Sequence, residues 1–124
     1  KAIELGASKI IGCDISGEMI NSAKTTAKGD ERFKFYQATC GELLQSMEKH
    51  HKYLGINDRP EESVDISIAV FLFNYLTTTE MADAMLQIYV ALKPGGEFVF
   101  SVPHPSMIFC HDKNAIFRLD SEGK

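Results

Sequence analysis

One acidic residue stands where an apolar run stops. Asp14 follows the run "KIIGC" and precedes "ISGEMINSA". A carboxylate on a short stem at this place can accept two hydrogen bonds from the neighbouring hydroxyl groups of a ribose. The same carboxylate can instead cap the turn or order the start of the next helix. The spacing of the residues leaves these two interpretations open.

Three more stretches end apolar runs in the same way. They are residues 38–40 (Ala-Thr-Cys), residues 70–75 (Val-Phe-Leu-Phe-Asn-Tyr) and residues 103–105 (Pro-His-Pro). In an open α/β sheet, ligands bind beyond the carboxyl ends of the strands, so we expect the site at these stretches. His104 is a candidate general base, because an unperturbed imidazole titrates near neutral pH. The alternative is a histidine that serves a proline-bounded loop or faces solvent.

The histidine and cysteine pattern does not predict a metal site. His50 and His51 are adjacent, so on a helix their side chains point in different directions, and no third ligand is near in the sequence. The three cysteines are widely spaced, with no Cys-x-x-Cys pair. This usage is typical of a reducing compartment, and we expect a cytoplasmic protein.

Strand and helix patterns alternate along the chain. The segments "KIIGC", "RFKFYQA", "VDISIAVFLF" and "EFVFSV" have the composition of strands. Helical patterns lie between them, and "KAIELG" in front reads as a helix end closed by Gly6. The order predicts an α/β fold: an open, mainly parallel, doubly wound (Rossmann-like) sheet with right-handed crossovers.

Two segments give sharper expectations. The nearly continuous apolar run "VDISIAVFLF" is typical of a strand that is buried on both faces. In "TTTEMADAMLQIYVALK", Thr77 and Glu80 have the spacing of a capping box, and Pro94 with the glycines after it ends the helix. Its predicted core-facing stripe consists of Met81, Met85, Ile88 and Leu92.

Composition limits the classes of partner. The chain has 124 residues, enough for one small domain, and a formal net charge of -4. No basic run is present, so a nucleic-acid surface is not predicted. The longest apolar run is too short to span a bilayer. A small-molecule substrate is the default expectation.

The motifs together resemble those of a known enzyme family. The segments "IIGCDISGEMINSA", "FKFYQATCGEL", "SVDISIAVFLFNYL" and "ALKPGGEFVFSVPHP" are similar, in colinear order, to the middle of a class I S-adenosylmethionine-dependent methyltransferase. The resemblance covers residues 1–105. It implies S-adenosylmethionine as the cofactor and methyl transfer as the activity.

The resemblance also implies roles for individual residues. Asp14 would hold the ribose hydroxyls, Ile15 would pack on the adenine, and the Cys40 backbone N–H would reach the adenine ring. Val70 and Phe71 would line the ribose and methionine part. On the substrate side the resemblance places Asn74, Tyr75 and His104.

The chain departs from the family pattern in two places. Thr39 stands where many relatives have an aspartate that reaches the adenine amino group, so only a hydroxyl is offered there. The family's first strand and its glycine-rich loop have no counterpart before "KAIELG". We therefore expect residues 1–124 to form one partial domain that binds the cofactor poorly, with a recognisable core over 1–105 and an unassigned tail over 106–124.

Two alternatives stay open. In an NAD(P)-dependent Rossmann oxidoreductase, Asp14 would have the same role toward a ribose. In a non-catalytic α/β interaction module, an open sheet edge would bind a partner.

Overall fold

The computed structural model describes residues 2–54 and 59–104. A 3-10 turn at Ile3–Leu5 precedes the first strand, and its end is closed by Gly6 in the left-handed region, with φ at 101°. The elements that follow are β1 (Ile10–Asp14), α1 (Gly17–Ala27), β2 (Phe33–Gln37), α2 (Leu43–Lys49), α3 (His51–Leu54), β3 (Val64–Val70), α4 (Thr78–Ala91) and β4 (Leu92–Ser101). The predicted order of elements is confirmed. Pro105, Cys110 and the tail over 106–124 lie outside the described residues.

The strands form two parallel pairs. β1 runs beside β2, with Asp14 opposite Gln37 at the carboxyl end. β3 runs beside β4, with Val70 opposite Ser101. The parallel direction was predicted, but among the described residues the strands make two separate two-stranded sheets instead of one doubly wound sheet. Alternation of strands and helices sets the direction of neighbouring strands, whereas it does not decide which ladders join.

Helices hold the two sheets together. A first core cluster contains Tyr36 of β2, Met47 of α2 and Ala91 of α4, with Ile11 and Val64 packed against it. Met47 is 2% exposed, which makes it the most deeply buried large side chain of the described residues. Burying a side chain of this size contributes roughly 1.5–3 kcal/mol relative to leaving it in water. Among the described residues, the two sheets are therefore joined by side-chain packing with α2 and α4 and not by a strand ladder.

The first sheet carries helices on both faces. Tyr36 points to the α2 side, where it joins the core cluster. The next residue, Gln37, lies on the other face and contacts the start of α1 at Gly17. Successive strand residues point to opposite faces, so this part of the chain has the layered build that was predicted.

Within residues 2–54 and 59–104, the second sheet is covered on one face only. Ala69 of β3 and Ala84 of α4 pack with Phe73, and the Phe98 and Phe100 rings meet Phe73 edge-on at centroid distances of 6.0 and 5.6 Å. On the opposite face the β3 side chains are largely exposed: Ile66 54%, Ile68 69% and Val70 67%. The expectation that this strand is buried on both faces is wrong for the described residues, because α4 can cover only one face of the sheet.

Helix boundaries differ from the sequence pattern in two places. The helical pattern between the second and third strand segments is divided into two helices, because α2 ends at Lys49 and α3 begins at His51. α4 ends at Ala91, and the segment with Pro94 belongs to β4. The register of β4 against β3 shifts here, because Val64 pairs with Leu92 and Ile66 pairs with Glu97.

The buried stripe of α4 also differs from the predicted one. Ala84, Ile88 and Ala91 are buried, whereas Met85 is 40% exposed. Small alanines let α4 lie close to its neighbours, and the larger Met85 falls outside that contact.

Candidate functional site

The end of β1 forms a hydrogen-bonded turn. The Ser16 backbone N–H donates to Asp14 Oδ1 at 2.7 Å, and the Ala38 N–H donates to the Asp14 carbonyl at 3.1 Å. The Ser16 hydroxyl in turn accepts from the Met19 N–H and caps α1. One oxygen of the Asp14 carboxylate is thus used in the turn. Its other oxygen accepts no hydrogen bond from the described residues, and the side chain is exposed.

Ile15 presents an apolar side chain beside this carboxylate. The side chain is 70% exposed. Its carbonyl accepts a hydrogen bond from Gln37 Nε2 at 2.8 Å. Gln37 was not predicted as a site residue. The register that places it opposite Asp14 could have indicated it, because both residues end their strands.

Thr39 begins the short segment after β2. Its hydroxyl donates to Glu42 Oε2 at 2.8 Å, and its backbone N–H donates to the same oxygen at 3.2 Å. Both bonds lower the pKa of Glu42, and the hydroxyl bond has the larger effect. A hydroxyl oxygen that donates its proton still has lone pairs, so Thr39 can accept a bond from an amino group. Glu42, also missed in the sequence, adds a carboxylate three residues beyond the position where the family pattern has one.

Phe71 has an unusual backbone conformation at the end of β3. Its φ is 52°, in the left-handed region that bulky residues rarely adopt. The Phe71 N–H donates to the Ser101 carbonyl at 3.0 Å and approaches Ser101 Oγ at 3.3 Å. β4 therefore holds the turn after β3, and Val70 and Phe71 stand 67% and 41% exposed at this end of the sheet.

The predicted substrate-side residues follow at the same ends of β3 and β4. Asn74 and Tyr75 lie in the 3-10 turn Phe73–Tyr75, and the Tyr75 side chain is 75% exposed. His104 is exposed and comes three residues after the end of β4. The structure thus places all three residues beyond carboxyl ends of strands, which is where they were expected.

Cys40 brings the two halves of the site into contact. It packs against the second core cluster of Ala69, Phe73 and Ala84. Nearby, Gln87 of α4 donates through Nε2 to the Gly41 carbonyl, and its Oε1 accepts from the Leu44 N–H at 2.8 Å. The segment after β2 and the turn after β3 are therefore neighbours, although the strands that carry them belong to different sheets. Asp14 and Ile15 join the group through Gln37 and Ala38.

The described residues form neither a metal site nor a membrane-spanning helix. Over residues 2–54 and 59–104, no group of three or more His, Cys, Asp or Glu side chains could hold a metal ion. Within the same ranges, no helix is both long and apolar enough to cross a membrane.

One comparison with known proteins gave a match. A family model described as "Methyltransferase domain" matches residues 1–96. No significant match was found among the curated proteins or the solved structures. The family match covers β1 to β3, all of α4 and the first residues of β4.

Proposed function

The chain belongs to the methyltransferase domain family, and from that premise we propose that it uses S-adenosylmethionine as methyl donor. The observation that carries the proposal is the end of β1. There Asp14 keeps one carboxylate oxygen available beside the exposed apolar side chain of Ile15. A carboxylate oxygen next to an apolar surface suits a ribose hydroxyl and the base of an adenosine group.

The remaining residues complete the proposed cofactor site. Thr39 accepts a bond from the adenine amino group, and the Cys40 backbone N–H donates to the ring. Val70 and Phe71 line the path from the ribose to the methionine part. The exposure of these last two side chains, 67% and 41%, leaves apolar surface for such a ligand.

The reaction makes modest demands on the protein. When bound, S-adenosylmethionine supplies a methyl group on a sulfonium centre that is already a good leaving group. The chain's own residues then position the acceptor in line with the methyl group and exclude water. We propose Asn74 and Tyr75 as acceptor contacts and His104 as the group that removes the acceptor's proton.

The acceptor we propose is a small molecule in the cytoplasm. The net charge of -4 and the lack of a basic run support this class over a nucleic acid. The family match favours the methyltransferase over both the NAD(P)-dependent oxidoreductase and the non-catalytic module.

Calorimetric titration tests the cofactor. We expect the protein expressed from its complete reading frame to release heat with S-adenosylhomocysteine and not with NAD(H). Asp14→Ala removes a hydrogen bond to a charged acceptor and should weaken binding by about tenfold to a hundredfold. Asp14→Asn keeps an oxygen for the Ser16 N–H, so it should lose affinity with little change in Tm.

The control is Asp83→Ala on the exposed surface of α4, which should bind like the wild type. Heat with NAD(H) and none with S-adenosylhomocysteine would overturn the proposal. Unchanged affinity in both Asp14 variants would show that the ribose lies elsewhere.

A further inference from the structure

The turn that presents Asp14 and Ile15 is held from the neighbouring strand by one side chain. Gln37 ends β2 directly opposite Asp14, and its Nε2 donates to the Ile15 carbonyl at 2.8 Å. We infer that Gln37 is a positioning residue for the adenosine part of the ligand, an inference that rests on the proposed function. No part of the sequence pattern assigned it a role.

Packing against other residues does not fix the position of the Ile15 side chain. It is 70% exposed, so few protein atoms surround it, and β1 with its ladder has ended at Asp14. Two polar contacts fix the turn instead. The Ser16 N–H bonds to Asp14 Oδ1 on one side of the Ile15 residue, and Gln37 bonds to the Ile15 carbonyl. The orientation of Ile15, and of the carboxylate beside it, therefore depends on the Gln37 amide.

Glycine at position 17 makes room for this amide. A Cβ added to Gly17 would lie 3.2 Å from Gln37 Oε1 and 3.7 Å from its Cδ. The 3.2 Å approach is tight, so a Cβ there would require the Gln37 amide to shift by a few tenths of an ångström. Glycine otherwise weakens a helix relative to alanine, and Gly17 opens α1. The close contact with Gln37 explains why a glycine suits this position.

This role predicts a particular kinetic signature. The turn has the same shape before and during methyl transfer, so Gln37 contributes equally to ground-state and transition-state binding. Loss of such uniform binding raises KM and leaves kcat unchanged. Substitution of a residue that only stabilised the fold would instead lower Tm, without a rise in KM at unchanged kcat.

The experiment compares two substitutions of Gln37 in the protein expressed from its complete reading frame. Gln37→Glu keeps the shape and removes the donor, and Gln37→Leu removes both polar atoms. Each should weaken S-adenosylhomocysteine binding about twofold to tenfold, the range for one neutral hydrogen bond. Each should raise KM for S-adenosylmethionine by the same factor, with kcat and Tm near the wild type. The matched control is Gln45→Leu, an exposed position on α2, which should change neither.

Two further variants test the pathway through Ile15. Gly17→Ala should reproduce the loss of affinity, because it crowds the same amide. In an Ile15→Ala background, Gln37→Leu should have a smaller effect than in the wild type, since the side chain that it positions is gone.

The outcomes separate the two claims. Normal affinity in both Gln37 variants, with a wild type that binds S-adenosylhomocysteine, would overturn this inference and leave the proposed function standing. Fully additive effects of Ile15→Ala and Gln37→Leu would also overturn it. A wild type that binds no S-adenosylhomocysteine would overturn the proposed function and this inference together.

Discussion

At the scale of single residues, the sequence predicted that Asp14 stands at the end of a strand, as the structure shows, but it could not separate a role in the turn from a role in binding. The structure gives one oxygen of its carboxylate to the Ser16 N–H and leaves the other exposed. The two interpretations that the spacing left open are therefore compatible, because a carboxylate has acceptor sites on both oxygens. Gln37 was not predicted as a site residue, because its contact with Ile15 spans 22 positions of the chain and depends on strand register.

Burial of the Tyr36 hydroxyl is unfavourable to the stability of the fold. The residue is 8% exposed, and its hydroxyl has no hydrogen-bond partner in the part of the chain that the structure describes. Burial raises the pKa of this hydroxyl. An unsatisfied buried polar group is destabilising, so Tyr36→Phe should raise the free energy of unfolding by about 1 kcal/mol.

Urea denaturation measures this change, and Tyr89→Phe is the control. Tyr89 is 76% exposed, so its substitution should leave the free energy of unfolding unchanged. A loss of stability on Tyr36→Phe would contradict the prediction.

Phe71 combines backbone strain with a place in the proposed site. Its left-handed conformation costs about 1–2 kcal/mol in a residue with a Cβ. Phe71→Gly removes this strain together with a side chain that is 41% exposed. We expect the free energy of unfolding to stay level or rise by about 1 kcal/mol, while KM for S-adenosylmethionine increases.

Phe71→Leu is the matched control for this prediction. It shortens the side chain and keeps the strained φ, so it should not gain stability. A large loss of stability in Phe71→Gly alone would show that Phe71 acts mainly in packing.

At the scale of elements, local signals predicted the start of α4 well. The Thr77 N–H and hydroxyl both donate to Glu80 Oε2 at 2.8 Å, and the Glu80 N–H donates to Thr77 Oγ1 at 3.3 Å. Thr39 and Glu42 repeat the same spacing after β2. Such pairs can be predicted from the sequence because both partners lie within one helical turn. The division between α2 and α3 at His50 could not be predicted in this way.

The capping pair makes stability depend on pH in a defined direction. Two hydrogen bonds from Thr77 lower the pKa of Glu80 below its ordinary value of 4.5. The bond from the backbone N–H has the larger effect, and the bond from the hydroxyl adds to it. A depressed folded-state pKa gives stability that is present above the unfolded pKa and lost as the pH falls through the folded one. Glu80→Gln should therefore flatten the decline of stability below about pH 4.5.

Thermal unfolding between neutral pH and pH 3 checks this expectation. Glu61→Gln, at an exposed position, should keep the acid decline of the wild type. Thr77→Ala should lower the free energy of unfolding by about 1 kcal/mol at neutral pH. An acid decline in Glu80→Gln as steep as the wild type's would contradict the assignment.

At the scale of the whole molecule, the sequence predicted parallel strands with helical crossovers but not how the sheets meet. Alternating patterns report which local segment forms a strand and which forms a helix. They do not report whether β1 and β3 share a ladder, or whether the face with Ile68 is covered, because both depend on contacts between distant segments. In the described residues the two sheets share no ladder, and side chains from both sheets meet α2 and α4 in one core cluster.

Substitution of Gln87 tests how α4 is held against the rest of the molecule. Its side chain bonds to the Gly41 carbonyl and to the Leu44 N–H, so it ties α4 to the segment that follows β2. Gln87→Leu leaves both backbone groups without their protein partner and should lower the free energy of unfolding by about 1–2 kcal/mol. Gln87→Glu keeps an acceptor for the Leu44 N–H and should lose about half as much, because only the donor to Gly41 is removed.

Hydrogen exchange locates the effect within the molecule. Loss of protection at the Leu44 amide should be large in Gln87→Leu and small in Gln87→Glu, whereas Gln45→Leu should leave it unchanged. Because Cys40 and Thr39 lie on the segment that Gln87 holds, Gln87→Leu should also weaken S-adenosylhomocysteine binding. If the unfolding free energy and the Leu44 protection were both unchanged in Gln87→Leu, helix packing alone would join the two sheets, and the hydrogen bonds of Gln87 would have no part in aligning the site.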